Sequence, residues 1–195
     1  MEVRTGKTLT SLSICEEMED VEHVLFITKK KAISSIVQDN EKMGCTNFIL
    51  FVINYESLHK LPDINWDMVI CDEAHSMGAF AKASNRAKTV RTLIQKHNPY
   101  VILLSGTPTP ESYSQIYHQV YGIPTNPFAR FKNFYRFADV HVRVTQKKIN
   151  GNYVNDYSKG LPSIMEAMKP HMITYSQKEA GFKVETTEHI LKVAM

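Results

Sequence analysis

The sequence predicts an α/β fold, a central and mainly parallel sheet covered by helices on both faces, with a small C-terminal appendage that contains a hairpin. Three observations predict it. Strand-like apolar runs alternate with helix-spaced segments as far as residue 122. The runs are continuously apolar, as strands buried on both faces must be. Acidic and small polar residues gather where the runs end, and parallel sheets place ligands at the carboxyl ends of their strands.

In order, "VRTGKTLTSL" opens with Gly6-Lys7-Thr8 at the mouth of a helix whose apolar residues Leu9, Leu12, Ile14 and Cys15 have acids gathered behind them. "HVLFIT" reads as a buried strand, and "KKAISSIVQDNEKMG" as a helix stopped at Gly44. "NFILFVIN" is the next strand. "WDMVICDEAH" is an apolar run ending abruptly in acid, and "NRAKTVRTLIQKHN" is an amphipathic helix leading into the strand "YVILLSGT". The character changes beyond Pro124: "NPFARFKNFYRF" is aromatic and basic, its rings either packed in a core with the cations directed outward or available to stack on bases. "VRVTQKKINGNYVNDYS" reads as two strands around the favoured turn Asn150-Gly151, and "LPSIMEAMKPHMITYS" as a short helix and a further strand. The predicted domains are therefore 1–122, the α/β unit, and 123–195, the appendage.

At 195 residues, 43% hydrophobic and 22% charged, the chain has the usage of one globular domain. No run approaches the roughly 18 apolar residues that span a bilayer, and no signal peptide is legible, so a soluble, cytoplasmic protein without a membrane partner is expected. Cys15, Cys45 and Cys71 are odd in number and widely spaced, which argues against a disulfide framework or a zinc knuckle and for buried thiols. A net charge of +3 does not by itself announce a nucleic-acid partner, although one basic face can hide in a balanced total.

Gly-Lys-Thr at a helix mouth has a physical logic, because unpaired backbone N–H groups and the positive end of the helix dipole attract phosphate. Lys7 would reach the outer phosphates and Thr8 would offer its hydroxyl to Mg²⁺. An apolar strand that delivers adjacent carboxylates, Asp72 and Glu73, is costly unless a cation meets them. A metal bound with ATP supplies one: Asp72 would hold it, and Glu73 would orient and deprotonate the attacking water. Ser105-Gly106-Thr107, again at a strand end, could sense those carboxylates. His75 beside two acids makes a poor zinc site.

"RTGKT", "CDEAH" and "LSGTPTP", in this order and spacing, resemble motifs I, II and III of superfamily 2 helicases, most closely the Swi/Snf-like DNA translocases of phages and prophages. "VLFITKKKAISSI" is similar to motif Ia, "FVINYESLHKL" to motif Ib, and "SMGAFAKASNRAK" to the segment after the DEAH box. The resemblance implies a RecA-like P-loop NTPase lobe, with Thr5, Gly6, Lys7, Thr8 and Leu9 at the nucleotide, and Lys7, Asp72 and Glu73 as catalytic residues. It makes His75, Ser105, Gly106 and Thr107 coupling residues. Motifs Ia and Ib imply sequence-independent DNA contacts at Thr28, Lys29, Lys30 and Tyr55. The implied partners of a monomer are DNA and a second RecA-like lobe; the location is the host cytoplasm if the source is viral.

Two positions depart from the family pattern. Arg4 stands where a glycine often precedes Gly-Lys-Thr, and Lys29 replaces the proline usual in motif Ia. The family also places a strand before motif I and an arginine finger in lobe two. Only five residues precede Gly6, and motifs IV to VI are not seen, so the sequence reads as a first lobe with little turnover of its own. The alternative from another class is a nucleic-acid- or protein-binding module that keeps the fold without turnover.

Overall fold

The computed structural model describes residues 5–181. Arg4, and the end of the segment expected to lead toward a second lobe, lie outside these residues. Four parallel strands form the sheet in the order β2-β1-β3-β4: β1 His23–Thr28, β2 Ile49–Asn54, β3 Met68–Cys71 and β4 Tyr100–Leu103. This is the α/β architecture expected of a RecA-like lobe.

Alternate residues of the apolar strands feed opposite faces, so each strand serves two cores. Val24, Phe26, Met68 and Ile70 pack with Leu12 and Cys15 of α1 (Lys7–Glu17) and Ile36 of α2 (Ile33–Met43). Leu25, Ile27, Val69 and Cys71 pack on the other face with Trp66 and with Ala87, Val90 and Ile94 of α3 (Asn85–His97). Helix ends follow their local chemistry. Gly44 and Asn98 close α2 and α3 in the left-handed conformation, at φ 68° and 48°, and Ser84 Oγ accepts the Ala87 N–H at 3.2 Å to start α3.

A third core is aromatic. Ile116, Tyr117 and Val120 of α4 (Ile116–Val120) gather Phe128, Phe131, Phe134 and Phe137 together with Ile164 and Met168 of α6 (Ser163–Met168). The basic aromatic run forms α5 (Phe134–His141), an element the sequence did not announce; Phe134 and Phe137 turn inward while Tyr135 and Arg136 stay exposed. The hairpin is present as β5 (Thr145–Ile149) and β6 (Asn152–Asp156), with positive φ at both Asn150 and Gly151.

Two expectations are corrected. The strand expected in "MITYS" is not formed: residues 172–176 run as coil beside the outer edge of β4 without pairing with it, and Ile173 is 80% exposed. Cys45 is only half-buried, whereas Cys15 and Cys71 are fully buried thiols. No helix among the described residues is long and apolar enough to cross a membrane.

Candidate nucleotide-binding site

Parallel strands end together, so the fold brings four short polar segments to one edge of the sheet. These are Thr28-Lys29-Lys30 after β1, Tyr55 after β2, Asp72-Glu73 after β3 and Ser105-Gly106-Thr107 beyond β4. The register fixes the alignment, with Cys71 opposite Ile27 on one side and Leu103 on the other.

Asp72 is held from several sides. Thr28 Oγ1 donates to its Oδ2 at 2.7 Å, and the Glu73 N–H donates to its Oδ1 at 2.9 Å. The Tyr55 hydroxyl donates to the Asp72 carbonyl at 2.7 Å, and the Asp72 N–H donates to the Ile27 carbonyl at 2.8 Å. A carboxylate with these partners has a fixed direction. Burial pushes the Tyr55 hydroxyl well above its ordinary range, helped by the neighbouring Cys71 and Asp72, so it stays a proton donor. Burial likewise pushes the Cys71 thiol up to about 12.

Glu73 takes the left-handed conformation at φ 51°, which costs a residue with a Cβ on the order of 1 kcal/mol. Its side chain meets Lys29 Nζ and His75 Nδ1, each at 3.3 Å. His75 Nδ1 also lies 3.0 Å from Ser105 Oγ, so one imidazole connects the carboxylate to the loop after β4. That loop is braced internally: Ser105 Oγ accepts the Thr107 N–H at 3.2 Å, and Gln119 Nε2 donates to the Pro108 carbonyl at 2.6 Å.

Gly6 begins α1 at φ 78°, a left-handed turn that favours glycine. Among the described residues the first turn of α1 has no acidic residue and Gly6 provides no side-chain cap. Lys7, Thr10, Ser105, Gly106 and Ala74 line one cavity of about 710 Å³ beside the outer edge of β4. Thr5, Gly6, Thr8, Leu9, Asp72, Glu73 and His75 do not line it, and its far wall comes from Met168 and residues 171–176; Thr5 is buried and Leu9 is 46% exposed. No three His, Cys, Asp or Glu side chains cluster as a metal cage among the described residues.

Two residues expected to face DNA are placed elsewhere. Thr28 is fully buried and Tyr55 nearly so, and both spend their hydroxyls on Asp72. The cause is the pleat: Thr28 is the last residue of a strand enclosed on both sides, and the turn after β2 folds Tyr55 under β3. Lys29 and Lys30 are exposed. Sequence reasoning missed the positioning work of Thr28 and Tyr55, and also Gln119; a hydroxyl at a strand end was the available signal for the first two, and nothing marked Gln119.

Comparison with known proteins sets this geometry in a family. Over 70 residues, 36% of its length, the chain is 35% identical to the RNA polymerase-associated protein RapA of Yersinia pestis (strain Pestoides F). It is 34% identical over a stretch of the same length to RapA of Yersinia pseudotuberculosis serotype O:1b (strain IP 31758). The match spans about 7% of those proteins. The model of the SNF2-related domain matches residues 22–195, beginning after the Gly-Lys-Thr segment and including Asp72, Glu73, His75 and Ser105. The chain is thus a Swi/Snf-like member of superfamily 2 and belongs to the SNF2-related domain family.

Proposed function

We propose that this chain is the ATP-binding first lobe of a Swi/Snf-like DNA translocase of the phage type, with a DEAH-type motif II at Asp72–His75, working with Mg²⁺ and a second RecA-like lobe. The observation that supports it best is the link Lys29–Glu73–His75–Ser105, which joins the segments after β1, β3 and β4 next to the Lys7 cavity. A family ATPase needs that junction, since hydrolysis must be felt by the surfaces that hold DNA. In this reading the α/β unit, residues 1–122, carries the nucleotide, and residues 123–195 form an appendage.

Mg²⁺ bound with ATP neutralises phosphate charge in such sites. Thr8 and Asp72 are the residues to hold it, and Thr28 and Tyr55 keep Asp72 aimed. Lys7 binds the outer phosphates, with the N–H groups of the first α1 turn. Glu73 orients the attacking water and takes its proton, and His75 passes a change at Glu73 to Ser105, Gly106 and Thr107. Lys29 and Lys30 contact DNA phosphates without reading bases.

Titration calorimetry with a non-hydrolysable ATP analogue and Mg²⁺ tests the reading. Binding is expected, with a loss of tenfold or more in Lys7→Ala, the order of one charge-assisted contact. Unchanged affinity in that variant overturns the phosphate site.

A further inference from the structure

The appendage presents a surface that the ATP site does not account for. Residues 130 to 159 contain seven lysines and arginines against two aspartates, a surplus of five, whereas the whole chain has a surplus of three. The remainder of the protein is therefore net acidic, and the positive field is concentrated here. Both acids are already engaged: Arg136 pairs with Asp139 at 3.5 Å and Lys147 with Asp156 at 2.7 Å. Arg130, Lys132, Arg143, Lys148 and Lys159 are exposed, and none has a carboxylate partner among the described residues.

The hairpin that carries part of this charge is unusual in its own right. A two-stranded ribbon is marginal in water without a face to pack, yet Ile149, Tyr153 and Val154 stay exposed at 54%, 69% and 42%. It is held at its base. The Arg143 N–H donates to the Lys159 carbonyl at 2.9 Å, Ser114 Oγ donates to the Tyr157 carbonyl at 2.7 Å, and the Gly160 N–H donates to Ser112 Oγ at 3.0 Å. A Cβ on Gly160 would come within 2.5 Å of the Ser114 nitrogen, so the attachment is close enough to require glycine. The Tyr157 ring meets Phe134 and Tyr135 at 5.3 and 6.1 Å, which ties the hairpin exit to α5.

Lysines on strand edges also guard against aggregation, a role open to both Lys147 and Lys148, of which Lys147 is already paired with Asp156. It does not account for cations on the loop before α5, after α5 and at the hairpin base. An arm anchored at one end, uncovered on both faces and basic beyond its own acids has the features of a polyanion contact, with Tyr153 opposite Lys148 offering a ring and a hydroxyl beside the charge.

We infer that the β5–β6 hairpin and its base form a second nucleic-acid contact, taking the phosphate backbone of duplex DNA through Arg143, Lys148 and Lys159 without sequence preference. This rests on the DNA-partner part of the proposed function and not on ATP turnover. It adds a surface separate in sequence from Lys29 and Lys30.

Fluorescence anisotropy of the chain with labelled duplex DNA at several salt concentrations tests it. Each phosphate contact contributes about 0.9 to the slope of log affinity against log salt. Arg143→Glu, Lys148→Glu, Lys159→Glu together are expected to flatten the slope by about 2 to 3 and to weaken binding equally on unrelated sequences. The corresponding glutamine triple variant should move in the same direction by less. Reversal of Lys42 and Lys96, exposed at the far ends of α2 and α3, should change the slope little. Thermal melts of the variants confirm folding, which these exposed side chains do not support.

An unchanged slope in the hairpin variants overturns the inference while a loss in Lys29→Glu, Lys30→Glu upholds the motif Ia contact. The reverse result upholds the hairpin and overturns motif Ia. No binding by the wild-type chain overturns both, and a loss seen with duplex RNA but not with DNA overturns the assignment to DNA.

Discussion

The sheet lobe and the appendage solve burial in opposite ways. Under the sheet, aliphatic side chains fill both faces, and the polar groups are collected at the carboxyl edge, where Thr28, Tyr55, Asp72, Glu73, His75 and Ser105 constrain one another. In the appendage, rings fill the core and the charge is spread over the outside with few partners. Polar residues that bond each other are set for chemistry that needs fixed directions; unpaired exposed cations are set for a diffuse polyanion. The difference separates a site from a surface.

The largest expected effect falls on the aromatic core. Phe137 is fully buried and meets Tyr117, Phe128, Phe131, Phe134 and His141. Phe137→Ala should cost about 3 to 5 kcal/mol of local stability through the cavity it leaves. Hydrogen exchange should show α5 and α6 opening while the β1–β3 amides keep their protection; equal loss in the sheet would mean that the two cores are one cooperative unit.

Next comes the fixed carboxylate. Thr28→Val keeps the volume and removes the donor to Asp72, leaving a buried strand end beside an oxygen short of one partner. A loss of about 1 to 3 kcal/mol is expected by chemical denaturation, and Tyr55→Phe should lose about 1 kcal/mol. A neutral result in both would show that Asp72 is not held by these hydroxyls.

Acid should then load the aromatic core. His118 stacks on Phe134, and His141 sits among Phe128, Phe131 and Phe137. Burial lowers both imidazole pKa values from the ordinary 6.5, with Arg91 adding to the effect at His118 and Arg130 at His141. A group whose folded pKa is depressed binds its proton more readily unfolded, so stability present above pH 6.5 is lost as pH falls through and below that value. Melting followed from pH 7.5 to 5 should fall for the wild type, and less for His118→Phe, which stays neutral.

The smallest expected change is at Lys29. Its bond to Glu73 is between half-exposed groups, and Lys29→Ala should alter stability by about 1 kcal/mol or less. DNA affinity should fall more visibly, with a shallower salt dependence. A stability loss comparable to that of Thr28→Val would make Lys29 a structural member of the carboxylate cluster and not a surface cation.

The sequence by itself determined the parallel α/β class, because strands buried on both faces have no choice but to be continuously apolar. It also determined the positions of the Gly-Lys-Thr helix mouth, the Asp72-Glu73 pair and the Asn150-Gly151 turn, since each depends on a few adjacent residues and their local conformation. The outward cations of "NPFARFKNFYRF" were legible too, although the helix that carries part of them was not. What the tertiary structure decided was which hydroxyls are spent. Thr28 and Tyr55 read as surface groups in a linear string, but pairing β1 with β3 encloses the first and the turn after β2 brings the second under Asp72. The absence of a strand at 172–176 was likewise not local, because these residues line the cavity beside the outer edge of β4 without pairing with it. Contacts across 17 and 44 residues carry the site, and no pattern within a short window reports a partner that chain topology supplies.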